Sequence, residues 1–134
     1  MTADFIDRHR SDAAFGVIYV AEAHFVERNP ETKEVINGWP LGFPAEYERP
    51  SHRTLEDRLE MARFSIDALL TLQKADFIAV DNMTDSFADY YGAWPEQILC
   101  LDTHSGELLF KGMHDYEKNP KHLITQLESV WSGL

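Results

Sequence analysis

Residues 15–20 read Phe-Gly-Val-Ile-Tyr-Val, and this unbroken apolar run constrains the fold more than any other feature of the chain. A strand with one wet face alternates apolar and polar residues. A continuous apolar run is typical of a strand buried on both faces, as in a parallel sheet. Residues 77–80, Phe-Ile-Ala-Val, form a second run of this kind. With 134 residues, 44% of them hydrophobic, the chain is long enough for one domain with a real core.

The rest of the chain supplies the helices. Residues 2–10 read as a short helix, with Phe5, Ile6 and His9 on one face and Asp7, Arg8 and Arg10 solvated. Residues 25–53 read as a long irregular loop, broken by Pro30, Pro40, Pro44 and Pro50 and pinned by Trp39, Phe43 and Tyr47. In residues 54–72, Leu55, Leu59, Ala62, Ile66 and Leu69 repeat at helical spacing. Thr54 is the expected N-cap there, with Glu56 and Asp57 at the positive end of the dipole. Residues 85–91 predict a short helix ending at Gly92. Residues 97–102 and 107–111 predict a hairpin around Thr103-His104-Ser105-Gly106. Asn119-Pro120 opens a last helix that turns Leu123, Leu127, Val130 and Trp131 inward.

Strands alternating with helices, closed by a C-terminal β-hairpin and helix, predict a single α/β domain over residues 1–134. The order describes most of a thioredoxin-like fold. The expected mixed sheet is built from residues 15–20, 77–80, 97–102 and 107–111 and flanked by helices. Pro95 directly precedes a strand, where thioredoxin-like proteins hold a cis proline. It is equally a proline tolerated at the start of a strand.

Charge and cysteine content exclude several classes. A formal net charge of −11 disfavours nucleic acid and anionic membrane surfaces as partners. No stretch approaches the roughly 18 apolar residues of a membrane span. Residues 1–12 are charged and predict no secretory signal, so a cytoplasmic protein is expected. One cysteine, Cys100, can form neither an internal disulfide nor a CxxC pair. It lies in the strand-like run of residues 97–101 and reads as an inert core thiol. His9, His104 and His122 read as surface histidines.

Five short motifs, in order, are similar to the iodothyronine deiodinase family. They are Tyr19-Val20-Ala21-Glu22-Ala23-His24, Asn37-Gly38-Trp39, His52-Arg53-Thr54-Leu55-Glu56-Asp57-Arg58, Val80-Asp81-Asn82-Met83 and Tyr91-Gly92-Ala93-Trp94-Pro95-Glu96. The strand from Gly106 to Gly112 also matches, and the similarity runs from about Phe5 to the C-terminus. The resemblance implies reductive removal of iodide from an iodinated phenol ring, with selenocysteine or cysteine as nucleophile. In the family that nucleophile lies between the first core strand and the first core helix. Here the first helix begins at about residue 2, so an N-terminally truncated fold without the nucleophile is expected. The missing strand is expected between residues 15–20 and 77–80. Either those two strands close up and pair directly, or each leaves an edge that invites association; a homodimer is expected, with an interface over the exposed edge or over residues 25–53.

The resemblance carries site residues over one by one. Glu22, His24, His52 and Glu96 fall at family positions that bind substrate or relay protons. His114 stands where the family commonly has a substrate-binding arginine. Independently, Glu22 and His24 leave the end of a strand, where open α/β sheets bind ligands. A histidine beside a carboxylate there suits proton transfer near neutral pH. The expectation is one pocket near Pro95 formed by Glu22, His24, His52, Glu96 and His114, taking an aromatic or phenolic ligand. No metal motif matches and no cofactor is expected. Three functions remain open: a binding or interaction protein without redox catalysis, part of a thiol- or selenol-dependent reductase, and an acid–base or metal enzyme using the Glu/His pocket.

Overall fold

A computed structural model of the protein describes residues 3–21, 25–38, 48–93, 97–113 and 121–132. The chain runs α1 (Ala3–His9), β1 (Gly16–Tyr19), β2 (Val26–Arg28), β3 (Val35–Gly38), α2 (Leu55–Ala68), α3 (Leu70–Gln73), β4 (Phe77–Val80), α4 (Ser86–Tyr91), β5 (Gln97–Leu101), β6 (Leu108–Met113) and α5 (Lys121–Trp131). It is a mixed α/β structure.

The core forms where α1 and α5 meet the C-terminal hairpin. Phe5, Ile6, Phe15 and Leu127 are buried, with Ile98, Cys100, Phe110, Ile124 and Trp131 packed around them. Phe5 meets Phe15 and Trp131 edge-on, at centroid distances of 6.1 and 6.2 Å. Burial of each large apolar side chain stabilises the fold by about 1.5–3 kcal/mol. His9 belongs to this cluster rather than to the surface. Its ring lies 4.6 Å from Phe5 and 4.8 Å from Trp131. Its Nε2 is enclosed with no hydrogen-bond partner among the described residues. The reason is helical spacing, since His9 lies one turn beyond Phe5 on the buried face. His104 and His122 are exposed, as expected.

β1 and β4 pair in parallel, in register from Gly16 with Phe77 to Tyr19 with Val80. Asp76 fixes the start of this ladder. Its carboxylate accepts the Phe15 N–H at 2.7 Å and an Arg10 N–H at 2.6 Å, and its own N–H donates to the Phe15 carbonyl. Gly16 lets the Phe77 ring lie against β1, since a Cβ there would fall 2.0 Å from that ring.

Three expectations change. First, β1 and β4 are not buried on both faces: Phe77 is 55% exposed and Ile78 37%. Second, the four strands do not share one sheet among the described residues. They form two ladders, β1–β4 and β5–β6, and β2–β3 makes a third. Third, of the two alternatives for β1 and β4, exposed edges and direct pairing, the structure has direct pairing, with no strand position open between them. The open space lies between β1 and β5 instead, as a cleft of about 1290 Å³.

Residues 25–38 also hold more regular structure than a proline-rich loop. β2 and β3 form an antiparallel ribbon. Asn29 Oδ1 accepts the N–H groups of Glu31 and Thr32 and shapes its turn. Arg28 and Glu48 form a bidentate pair that holds the returning chain. Trp39, Phe43 and Tyr47 lie outside the described residues.

Candidate functional site

Parallel pairing puts the carboxyl ends of β1 and β4 at the same end of their ladder. β1 continues into Val20 and Ala21, and β4 into Asp81 and Asn82. The Asp81 N–H closes the ladder on the Tyr19 carbonyl at 2.8 Å. A crevice outside such strand ends is where open α/β sheets place ligands.

Helix α2 delivers its residues to this end through a firm N-terminus. Thr54 is the N-cap, as expected, and Asp57 completes a capping box. The Asp57 carboxylate accepts the N–H groups of Arg53 and Thr54. Hydrogen bonds from Arg53 and then Thr54 hold its carboxyl below the usual range. Just before the cap stands His52, whose ring centroid is 5.8 Å from that of Tyr19.

The buried stripe of α2 differs from the leucine spacing. Leu55 is 48% exposed and Leu69 54%, whereas Arg58 and Ala62 are buried at 2% and 3%. Arg58 is drawn inward because the turn after β4 offers it acceptors. Its Nη1 donates to the carbonyls of Asn82 at 2.5 Å and Asp81 at 3.3 Å. The same nitrogen lies 2.8 Å from an Asp85 carboxylate oxygen.

Asp81 is buried too, and it acts as the distant cap of α4. The residue beside that helix, Asp85, has a left-handed φ of 53° and makes no side-chain cap bond. Asp81 instead accepts the N–H groups of Phe87 and Ala88, together with that of Asn82. Burial alone would raise the Asp81 carboxyl. The N–H groups of Ala88, Phe87 and Asn82, with the Arg58 guanidinium, outweigh burial and hold it below the ordinary range.

These residues enclose a small pocket of about 240 Å³ lined by Ala21, Phe25, Ser51, His52, Arg58, Met83 and Asp85. It offers an imidazole, a hydroxyl, a buried guanidinium and a carboxylate beside apolar Phe25 and Met83. Such a set can hold a polar group on an aromatic ligand and exchange a proton with it.

Of the expected site residues, the structure places His52, at the carboxyl end of β1. Glu22, His24, Glu96 and His114, with Pro95 and Trp39, lie outside the described residues. Sequence reasoning missed Ser51, Arg58, Asp81 and Asp85. The signal for Arg58 was its place on the same face as Ala62, where a charge is buried only with partners. Cys100 sits on β5 in the core, where burial pushes its thiol above the ordinary value.

The family model for iodothyronine deiodinase matches residues 3–130, which include all of these positions. Among curated proteins, thyroxine 5-deiodinase of Ovis aries is 30% identical over 110 residues, covering 80% of this chain and 31% of that protein. The thyroxine 5-deiodinase of Sparus aurata is 33% identical over 93 residues, covering 69% and 29%. The Homo sapiens protein of that name is 29% identical over 107 residues, covering 80% and 30%. The chain thus spans about a third of the length of the curated relatives it matches.

Proposed function

The chain belongs to the iodothyronine deiodinase family, and from that premise we propose that its 134 residues form a thioredoxin-like small-molecule-binding module without redox catalysis of its own. The ligand is an aromatic or phenolic compound, held at the carboxyl ends of β1 and β4. The observation carrying this reading is the placement of His52 beside Arg58 and Asp85 in one crevice at those strand ends. Glu22, His24, Glu96 and His114 complete the pocket in this proposal, and Pro95 and Trp39 support it. The redox part rests on sulfur chemistry. Deiodination needs an activated thiolate or selenolate. These residues contain one cysteine, Cys100, and burial disfavours its thiolate.

The relatives' name supplies the probe. Thyroxine should bind saturably in a calorimetric titration, and His52→Ala should weaken it about tenfold, equivalent to about 1.4 kcal/mol. With dithiothreitol as reductant, no iodide should be released. Absence of saturable binding overturns the ligand. Iodide release that disappears in Cys100→Ser overturns the redox claim.

A second reading is that these residues are part of a thiol- or selenol-dependent reductase. It is favoured by their spanning only 31% of the Ovis aries relative. A longer product of the same coding region that releases iodide, where the 134 residues do not, would select it. The proposal also includes a cytoplasmic location and two-fold self-association through residues 25–53, where Ile36 is 65% exposed.

A further inference from the structure

Asn37 and Gly38 stand at the open end of the β2–β3 ribbon, and both are exposed. The Val26 N–H turns away from β3 to the Arg49 carbonyl at 2.7 Å. Val26 and Gly38 therefore face each other as one of the antiparallel pairs that exchange no hydrogen bonds. The Gly38 N–H goes to its neighbour's side chain, donating to Asn37 Oδ1 at 2.9 Å. The other end of that amide is held across the ribbon, where Nδ2 donates to Glu27 Oε2 at 3.3 Å. A carboxylate only accepts, so Glu27 fixes which end of the amide faces Gly38.

An N–H aimed at a carbonyl is one proton short of a nucleophile aimed at it. Once the proton is lost, the nitrogen lone pair takes the direction of the old bond. It then faces the Asn37 amide, whose Cγ is one bond from the accepting oxygen, and that is the geometry of a near-attack conformer. Gly38 puts no side chain in the way. The chain has four asparagines, and the other three lack this arrangement. Asn29 and Asn119 precede prolines, which have no N–H. Asn82 precedes Met83, and its Oδ1 accepts the N–H groups of Thr84 and Ser86 instead.

We propose that Asn37-Gly38 is a self-modification site, at which the chain turns Asn37 into an aspartyl or isoaspartyl residue and thereby unpairs β2 from β3. The Gly38 nitrogen bonds to Asn37 Cγ and gives its proton to water. The Cγ–Nδ2 bond breaks, and Nδ2 leaves as ammonia with a proton taken from water. Water then opens the cyclic imide. Opening at Cγ gives the aspartyl form, and opening at the backbone carbonyl gives the isoaspartyl form. One water is consumed and one ammonia released, with no oxidation or reduction. Either product replaces the donor facing Glu27 with a second carboxylate, and like charges on opposed strands repel. The isoaspartyl form also adds one atom to the β3 backbone, which puts the ladder out of register. Gly38 lies against the Phe25 carbonyl, and Phe25 lines the pocket at His52. The conversion therefore reaches that pocket, a consequence that rests on the ligand reading above, whereas the conversion itself does not.

The test incubates the folded chain at about pH 8 and about pH 6 and follows its peptides by mass spectrometry. The peptide holding Asn37 should gain about one mass unit, at least tenfold faster at the higher pH, while those holding Asn29 and Asn82 stay unchanged. The folded chain should convert at least as fast as the chain in urea, because the ribbon holds the reacting groups together. Asn37→Gln, whose longer side chain closes the ring poorly, should not convert. Converted protein, separated by its added negative charge, should exchange the Glu27 amide at least tenfold faster than unconverted protein. No mass gain, equal gain at Asn82, or conversion tenfold slower in the folded chain than in urea would overturn the proposal. So would unchanged exchange at Glu27 after conversion, or equally quickened exchange in incubated Asn37→Gln.

Discussion

Arg58 Nη1 lies 2.8 Å from an Asp85 carboxylate oxygen, yet the arginine side chain is 3% exposed and the aspartate 40%. The pair is lopsided: the cation has left water and depends on fixed acceptors, whereas the anion is still partly hydrated. Arg58→Met removes the donor and leaves the Asn82 and Asp81 carbonyls to find others. It should cost about 3 kcal/mol. Asp85→Asn keeps an acceptor and tolerates the left-handed backbone, so it should cost about 1 kcal/mol. Urea denaturation of the two variants checks the order; equal losses would contradict it.

Asp81 makes stability sensitive to acid. Its carboxyl is held below its ordinary range, so its contribution is present above the unfolded pKa of about 3.9. That contribution is lost as pH falls through the lower folded value. Below about pH 4, the urea midpoint should therefore fall more steeply for the wild-type chain than for Asp81→Asn. Parallel pH profiles would show that the three N–H groups around Asp81 do not favour its anion.

Much of the fold was legible where local chemistry decides it. Thr54 as N-cap, Gly92 as helix end and the turn at residues 103–106 each follow from backbone needs that one or two residues meet. Gly92 has a φ of 63°, and the Asp102 carboxylate accepts the His104 N–H and the Ser105 hydroxyl. What the sequence hid depends on partners distant in the chain. Arg58 is buried because residues 81–85 come to it. The β2–β3 ribbon escaped notice because its strands are three and four residues long and the prolines around them read as loop. Of the expected site, His52 lies among the described residues, just before the α2 cap and beside Tyr19, and nothing in the local pattern pointed to Asp85 on the same pocket.

Two glycines should respond differently to the same methyl group. At Gly38 a Cβ would fall 2.0 Å from the Phe25 carbonyl oxygen, at a φ of +99°. Neither backbone can yield cheaply, so Gly38→Ala should break the β2–β3 pairing, read as fast amide exchange at the paired residues Glu27 and Asn37. At Gly16 the obstacle is the Phe77 ring, which is 55% exposed and free to swing outward. Gly16→Ala should cost only about 1 kcal/mol by urea denaturation.

Cys100 should behave as a half-buried thiol whose thiolate burial disfavours. At pH 8 its reaction with an aromatic disulfide reagent should run at least about tenfold slower in the folded chain than in urea, because the thiolate is the reacting form. A folded rate matching the unfolded one would place the thiol in water.

Self-association should depend on β3. Sedimentation at micromolar concentration should give a dimer, and Ile36→Lys should shift it to monomer without loss of stability, since Ile36 is 65% exposed. A monomeric wild-type chain removes the dimer from the proposal.

Among the described residues no strand pairing joins the β1–β4 ladder to the β5–β6 hairpin, and this bears on cooperativity. Backbone pairing does not join these parts, and Phe15 against Phe5 is a principal link between them. Each can open while the other stays intact, so the molecule has two local melting free energies rather than one. The parallel pair, with Phe77 and Ile78 in water, is the weaker. It loosens first on warming, and the strand ends beside His52 loosen with it.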